Sequence, residues 1–347
     1  MNCARKRGLY TIVAVVALAL ANVHAPSNAA VMYTSITVFG DSLSDGGNDF
    51  LLIGGNFPPP PYAQRFTNGP TAVEVLAARY GLPLTPSLAG GTNRAFGGAE
   101  TGTGNYLAVR PDVPPIINAI FSGPGTGILS QVQSFVPPAG FGGPQSLVVL
   151  WGGPNDLFTA LTLGQNPASI ILPAMNNIAQ SVGLLYGDGA RTILMPNMPD
   201  IGSTPFGLTS GNSAGLTAIS LAFDAALNQT IDQMELLFPG LDIIKFDTFA
   251  TLAAITANPG AFGLTNVTDP CFNGVTVCPN PNQYLFWDTA HPTARGHQLL
   301  GAQFAAAVPE PSSLLLIAVG VAALTAMGTV RRRNGWHAKA ESPGIAV

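Results

Sequence analysis

Residues 38–48 read VFGDSLSDGGN. The apolar run at 36–39 predicts a buried strand that stops at Gly40, so Ser42 comes just after its carboxyl end. Glycine, aspartate, serine and asparagine are also ordinary turn residues. Taken alone, the stretch fits a plain turn as well as a nucleophile.

The rest of the chain alternates short apolar runs with helical patterns. Strands are predicted at 36–39, 146–151, 191–195 and 241–246, and helices at 71–80, 127–136, 167–186, 214–238, 248–257 and 292–307. This alternation predicts an α/β fold, a parallel sheet covered by helices on both faces. In such sheets, functional groups gather beyond the carboxyl ends of the strands, where Ser42 lies. Gly/Pro-rich loops are predicted at 53–70, 87–126 and 258–286.

Composition narrows the class of protein. The 347 residues carry a net charge of −4 and only 9% charged side chains, a composition that gives no basic footprint for binding nucleic acid. With 47% hydrophobic residues the chain can form a sizeable core. We expect one catalytic domain at 31–307.

The amino-terminal 30 residues have the pattern of a secretory signal peptide. Basic residues at 5–7 precede an apolar run at 9–21 and small residues at 27–30. The alternative is an uncleaved anchor, but the apolar run is short for a bilayer span.

The carboxyl-terminal region predicts membrane insertion. Residues 312–330 carry no charge, a length that can span a bilayer, and three arginines follow at 331–333. By the positive-inside rule the tail at 334–347 is cytoplasmic and the main body is outside. A buried core helix is the alternative, but such a helix seldom ends in three arginines.

Residues 308–333 resemble the PEP-CTERM sorting signal, in which a Val-Pro-Glu-Pro stretch, an apolar span and an arginine cluster follow one another. The resemblance implies processing by an exosortase-type membrane peptidase. It also implies delivery to the cell surface or the extracellular space, with transient anchoring in the membrane.

Cysteine usage fits an exported domain. Cys3 belongs to the predicted signal peptide, which leaves Cys271 and Cys278 as a pair in a Pro/Asn-rich loop. Outside the cytoplasm these two residues are candidates for a disulfide. A metal site is the weaker alternative because no histidine or further cysteine is near them in sequence.

Histidine is scarce and therefore informative. Of four histidines, His24 lies in the predicted signal peptide and His337 in the tail, leaving His291 and His297. Asp288 lies three residues before His291, where a carboxylate can accept the Nδ1 proton and leave Nε2 free to act as a base. His297 has no acid at similar spacing and is predicted to be a surface or packing residue. By itself, the Asp288–His291 pair also fits a capped helix start.

Two further stretches offer donors for an oxyanion. WGGPNDLF at 151–158 places Asn155 after a predicted strand, and GGTNRAFGGAETGTG at 90–104 contains Gly97, whose backbone N–H can approach a substrate closely. Taken alone, Asn155 also fits an ordinary turn asparagine, and the stretch around Gly97 also fits an ordinary Gly-rich loop.

These blocks occur in one order along the chain, and together they resemble the GDSL or SGNH hydrolase family. The resemblance implies Ser42 as nucleophile, His291 as general base and acid, and Asp288 as its partner. It implies an oxyanion hole made by the N–H of Ser42, the N–H of Gly97 and the amide of Asn155. Gly98 is an open alternative to Gly97.

The resemblance also implies a flavodoxin-like α/β/α sandwich of about five parallel strands, without a metal or other cofactor. The expected activity is hydrolysis of carboxylic esters through an acyl-enzyme, on a small-molecule, lipid or polysaccharide ester. Alternatives are a carbohydrate O-deacetylase, an acyltransferase and a non-catalytic surface or matrix protein. Asp41 is expected to support the turn around the serine.

Two rival sites receive less support. Residues 211–215 match the GxSxG elbow around Ser213, but Pro205 and Gly207 interrupt the segment before it, which predicts a loop and a helix start. A calcium loop at 41–49 would need an oxygen ligand where Leu43 stands and a closing glutamate, and it has neither.

Overall fold

The computed structural model describes residues 33–123 and 125–309. Within it, Tyr33–Pro309 forms one compact unit. The predicted signal peptide at 1–30, the apolar span at 312–330 and the tail at 334–347 lie outside the described residues.

The central sheet has four parallel strands in the order in which they occur along the chain. They are β1 (Ser35–Gly40), β2 (Gly143–Trp151), β3 (Ala190–Pro196) and β4 (Asp242–Phe246). Val38 pairs with Val149 and Val149 with Leu194, so equivalent apolar positions lie side by side. Two short strands, β5 (Asn266–Pro270) and β6 (Tyr284–Phe286), form a separate parallel pair.

Ten α-helices occur in the described ranges. They are α1 (Asn48–Leu52), α2 (Ala72–Arg79), α3 (Pro115–Phe121), α4 (Ile128–Gln133), α5 (Pro154–Thr162), α6 (Ile171–Gly187), α7 (Pro205–Thr209), α8 (Ser213–Leu237), α9 (Thr248–Ala257) and α10 (Ala294–Ala307). Short 3₁₀ turns join several of them, including Pro167–Ile170 before α6.

The core lies on both faces of the sheet. Because successive strand residues point to opposite faces, Phe39 and Val148 contribute to one apolar cluster, with α4, α5, α6 and α8. Val38 and Val149 contribute to the other, with α2 and α10. The predicted α/β/α sandwich is confirmed, with four strands in its main sheet where about five were expected.

The carboxyl ends of β1 and β2 therefore meet at one edge. Gly40 pairs with Trp151 at the last step of the ladder. Since Ser42 follows the first strand and Asn155 the second, the parallel register brings both toward the same side of the molecule.

Candidate active site

Ser42 lies in a tight turn directly after β1. Asp41 Oδ1 accepts the N–H of Leu43 at 2.9 Å, and the Asp41 carbonyl accepts the N–H of Ser44 at 3.0 Å. This side-chain-to-backbone turn agrees with the prediction that Asp41 supports the turn. It leaves Ser42 only 8% exposed.

His291 reaches Ser42 from the other end of the chain. Its Nε2 lies 2.8 Å from Ser42 Oγ, across a sequence separation of 249 residues. On the opposite side of the ring, Nδ1 lies 2.8 Å from Asp288 Oδ2 and 3.0 Å from Oδ1. With the ring proton on Nδ1, the serine hydroxyl donates to Nε2.

Asp288 is held as a carboxylate by its surroundings. Its Oδ1 accepts the backbone N–H groups of Ala290 at 2.9 Å and His291 at 2.8 Å. Burial works to raise the pKa of Asp288, but the charge and hydrogen bonds of His291 outweigh it and lower that pKa to about 2.

Asp288 also accepts a hydrogen bond from a tyrosine that the sequence did not indicate as a site residue. Tyr62 donates its hydroxyl to Asp288 Oδ2 at 2.8 Å. Its burial, together with the negative charge of Asp288, raises the Tyr62 pKa well above the usual range. Tyr62 lies in the Pro-rich loop predicted at 53–70, where no residue pattern pointed to a contact 226 positions away.

Asn155 is placed by the start of α5. Gly153 precedes the helix with a φ of 131°, a conformation that favours glycine, and Pro154 occupies the first helical turn. Asn155 Nδ2 donates to Asp41 Oδ2 at 3.2 Å and to the Ala99 carbonyl at 3.1 Å. The amide is thereby fixed beside the turn that carries Ser42.

The two glycines of the Gly-rich loop face different surroundings. Gly98, with a φ of 73°, is among the residues that line the cavity next to Ser42, and Gly97 is not. The N–H of Gly97 helps to lower the pKa values of Asp45 and Asp49, whose burial raises them, so it lies beside these carboxyls. The Gly97 carbonyl accepts the Asn105 amide at 2.8 Å.

A cavity of about 360 Å³ opens beside Ser42. Ser42, Asn155 and His291 supply polar groups to its lining. Much of the remaining wall is apolar and includes Phe158, Phe206, Leu252, Ile255, Leu285 and Phe286. The site therefore combines a hydrogen-bonded chain of hydroxyl, imidazole and carboxylate with a largely apolar cavity.

The rival residues have other partners. Ser213 is the first residue of α8 and donates its hydroxyl to the Gly202 carbonyl at 2.8 Å. His297 is buried in α10, where its Nδ1 accepts the N–H of Ala72 at 3.1 Å. Burial lowers the His297 pKa to about 3, so the ring packs as a neutral group.

Cys271 and Cys278 form a disulfide in the loop between β5 and β6, with Cα atoms 4.8 Å apart. Within the described ranges, no three His, Cys, Asp or Glu side chains cluster closely enough to hold a metal ion.

Comparison with known proteins gives two family matches. The model of the GDSL-like lipase/acylhydrolase family matches residues 36–304. The PEP-CTERM protein-sorting motif matches residues 307–333.

Three relatives illustrate the range of similar proteins. A GDSL esterase/lipase of Arabidopsis thaliana is 27% identical, with 76% of this chain and 82% of the relative covered. A phosphatidylcholine-sterol acyltransferase of Aeromonas hydrophila is 28% identical, with coverages of 71% and 67%. Acetylajmalan esterase 2 of Rauvolfia serpentina is 27% identical, with coverages of 77% and 88%.

Proposed function

Because this chain belongs to the GDSL-like lipase/acylhydrolase family, and so is a carboxylic-ester hydrolase, we propose that it works through an acyl-enzyme on Ser42. His291 and Asp288 complete the triad. The observation that carries the proposal is the 2.8 Å contact between Ser42 Oγ and His291 Nε2. A serine hydroxyl is a weak nucleophile until such a base accepts its proton.

The reaction proceeds in two halves. In the first, His291 Nε2 takes the proton of Ser42 Oγ, the oxygen attacks the ester carbonyl carbon, and the alcohol leaves with a proton returned by His291. In the second, His291 takes a proton from water, the resulting hydroxide attacks the acyl carbon, and Ser42 recovers its proton as the acid leaves. Asp288 keeps the imidazole in the tautomer that both halves need and stabilises its charged form.

The negative oxygen of each tetrahedral intermediate needs preorganised donors. We assign this role to the N–H of Ser42, the N–H of Gly98 and the amide of Asn155. Gly98 replaces the predicted Gly97 because Gly98 lines the cavity, whereas the Gly97 N–H lies beside Asp45 and Asp49. The 3.2 Å bond from Asn155 to Asp41 is long, which favours sharing of that hydrogen with a new oxyanion.

The carboxyl-terminal motif gives the location. A PEP-CTERM motif at 307–333 indicates export and sorting to the cell surface. We propose that residues 1–30 are removed as a signal peptide and that 31–307 is the catalytic domain. The span at 312–330 then anchors the chain transiently until an exosortase-type peptidase processes it, with 334–347 in the cytoplasm.

Acyl transfer to an alcohol is a second candidate activity. It uses the same acyl-enzyme with an alcohol in place of water. The name of the Aeromonas hydrophila relative, a phosphatidylcholine-sterol acyltransferase, favours it, as does the apolar cavity wall. A carbohydrate O-deacetylase is less favoured, because its sugar substrates are polar and the cavity wall is largely apolar.

The test compares two serine variants of the full chain. Ser42→Ala is expected to lower kcat for p-nitrophenyl butyrate by about 10⁴–10⁶. Ser213→Ala is the matched control and should keep wild-type kcat. Adding a long-chain alcohol as acceptor, with ester product measured, separates transfer from hydrolysis. A Ser42→Ala variant with undiminished turnover contradicts the proposal.

A further inference from the structure

Resting on the proposed triad, we propose that Tyr62 is a positioning residue of the reaction. Its hydroxyl fixes the rotamer in which Asp288 presents Oδ2 to His291 Nδ1. The phenol acts through the carboxylate of Asp288, because Tyr62 contacts that carboxylate and is not among the residues that line the cavity beside Ser42.

The two oxygens of Asp288 are held differently. Oδ1 is fixed by the backbone N–H groups of Ala290 and His291 at 2.9 and 2.8 Å. Oδ2, the oxygen nearer to Nδ1, has hydrogen bonds within the described ranges only from His291 and from Tyr62, each at 2.8 Å. While Nε2 of His291 accepts and returns the serine proton, its Nδ1–H continues to donate to Oδ2, and Tyr62 supplies a second donor to Oδ2 that does not depend on the position of the imidazole ring.

The Tyr62 ring is itself held in place. It packs edge-on against Phe272, with ring centroids 5.7 Å apart, and against Trp287 at 6.1 Å. Phe272 and Trp287 stack on each other at 5.8 Å. Phe272 follows the disulfide-bonded Cys271, and Trp287 precedes Asp288.

This packing brings two loops together at the carboxylate. The loop that carries Tyr62 contacts the disulfide loop through the aromatic rings of Tyr62 and Phe272. The hydroxyl is the only part of Tyr62 that we assign a contact with the triad. A phenylalanine at position 62 keeps the ring contacts and removes only that bond. The substitution therefore separates positioning from packing.

The first experiment is the steady-state kinetics of Tyr62→Phe in the full chain. We expect kcat to fall about tenfold, equivalent to about 1.4 kcal/mol, with KM within about twofold of wild type. The matched control is Tyr186→Phe, which loses a 3.0 Å bond from its hydroxyl to the Pro239 carbonyl, far from the triad in sequence and outside the cavity lining. It should keep both constants. Rates are expressed per active site titrated with a phosphonate, so misfolded protein does not count.

A double-variant cycle shows whether the hydroxyl acts through Asp288. In an Asp288→Ala background, Tyr62 has no carboxylate to hold, so adding Tyr62→Phe should change the residual kcat by less than about twofold. A further tenfold loss in that background, an unchanged kcat in the single variant, or a loss that appears in KM alone would overturn the proposal.

The double-variant cycle also distinguishes a failure of the positioning role of Tyr62 from a failure of the triad on which that role rests. If Asp288→Ala keeps wild-type kcat, the triad itself is wrong and the role of Tyr62 falls with it. If Asp288→Ala loses activity while Tyr62→Phe retains it, the triad stands and only the positioning role is refuted.

Discussion

Asn155 shows how one side chain links the turn of the nucleophile to the proposed oxyanion hole. Its amide donates to Asp41 Oδ2 at 3.2 Å and to the Ala99 carbonyl at 3.1 Å. Burial raises the pKa of Asp41 to about 6, and the amide is one of the groups that oppose this rise. The negative oxygen of a tetrahedral intermediate is a stronger acceptor than the ground-state ester, so the benefit of the amide appears mainly in the transition state.

Replacing Asn155 by alanine should therefore act on kcat. We expect a loss of about 10²–10³ with little change in KM, measured with p-nitrophenyl butyrate. Asn177→Ala is the control, because Asn177 donates at 3.3 Å to the Thr101 hydroxyl and does not line the cavity. Equal losses in the two variants would show that amide removal acts through general destabilisation instead.

Among single residues, the sequence indicated those whose partner is close in sequence or whose residue type is rare in the chain. Asp288 and His291 are three residues apart, and few histidines competed for the role. Tyr62 was missed because its partner lies 226 positions away and because four prolines precede it in a segment without helix or strand periodicity. The choice between Gly97 and Gly98 could not be made because it depends on which peptide faces the cavity.

At the scale of elements, α4 closes the end of β1. Gln131 accepts the N–H of Gly40 at 3.0 Å and donates to the Gly40 carbonyl at 2.8 Å. Its amide also donates to the Thr126 carbonyl at 2.8 Å. The side chain thus pairs the last residue of the strand as a neighbouring strand would, two residues before Ser42.

Gln131→Ala should lower the free energy of unfolding by about 1–3 kcal/mol, because the buried Gly40 N–H then loses its partner. Urea unfolding measures the change. Gln133→Ala is the matched control on the same helix, since Gln133 is exposed, and it should alter stability by less than about 0.5 kcal/mol. A loss shared by both variants would mean that helix propensity, and not the pairing of Gly40, is responsible.

The strands of the main sheet were predictable as elements because each contains a short run of buried apolar residues, although β4 also has the exposed residues Asp242 and Lys245. The helix at 248–257 was predicted with the bounds that α9 has. The predicted helix at 292–307 begins later, at Ala294, because Thr293 caps it by accepting the Gly296 N–H at 3.0 Å. Helix α5 was missed, since Gly152, Gly153 and Pro154 read as a strand end and Pro154 in fact begins the helix. Strands β5 and β6 were missed because they are short and their pairing spans a long loop.

The whole molecule buries many carboxyl groups. Burial raises the pKa values of Asp41 and Asp45 to about 6 and those of Asp156 and Asp224 to about 7, and it raises that of Asp49 well above its usual range. These groups bind protons in the folded state at a pH where the unfolded chain has released them. Stability from them is therefore present at acidic pH and declines as the pH rises toward 7.

Asp288 and His297 act in the opposite direction, because their folded pKa values lie at about 2 and about 3, below the usual values. The contribution of His297 to the free energy of unfolding decreases as the pH falls below about 6.5, and that of Asp288 decreases below about 4. Five raised carboxyls outweigh one histidine between pH 8 and pH 5. The balance reverses only at more acidic pH.

The urea midpoint of unfolding should accordingly be higher at pH 5 than at pH 8, and fall again below about pH 4. Asp224→Asn tests the cause, since Asp224 lies outside the cavity lining and its Oδ1 accepts the Met198 N–H at 2.8 Å. This variant should show a smaller rise between pH 8 and pH 5. A midpoint that increases steadily from pH 5 to pH 8 would contradict the prediction.

The most direct measurement is the site of covalent modification by a fluorophosphonate, read by peptide mass spectrometry on the full chain. Such a reagent reacts with a serine whose hydroxyl is activated by a neighbouring base and leaves a stable phosphonyl ester. The assignment of Ser42 as the nucleophile predicts a single adduct on that residue, formed together with loss of esterase activity and greatly slowed in His291→Ala. An enzyme that hydrolyses esters yet carries its adduct on Ser213, or loses activity with Ser42 unmodified, would contradict it.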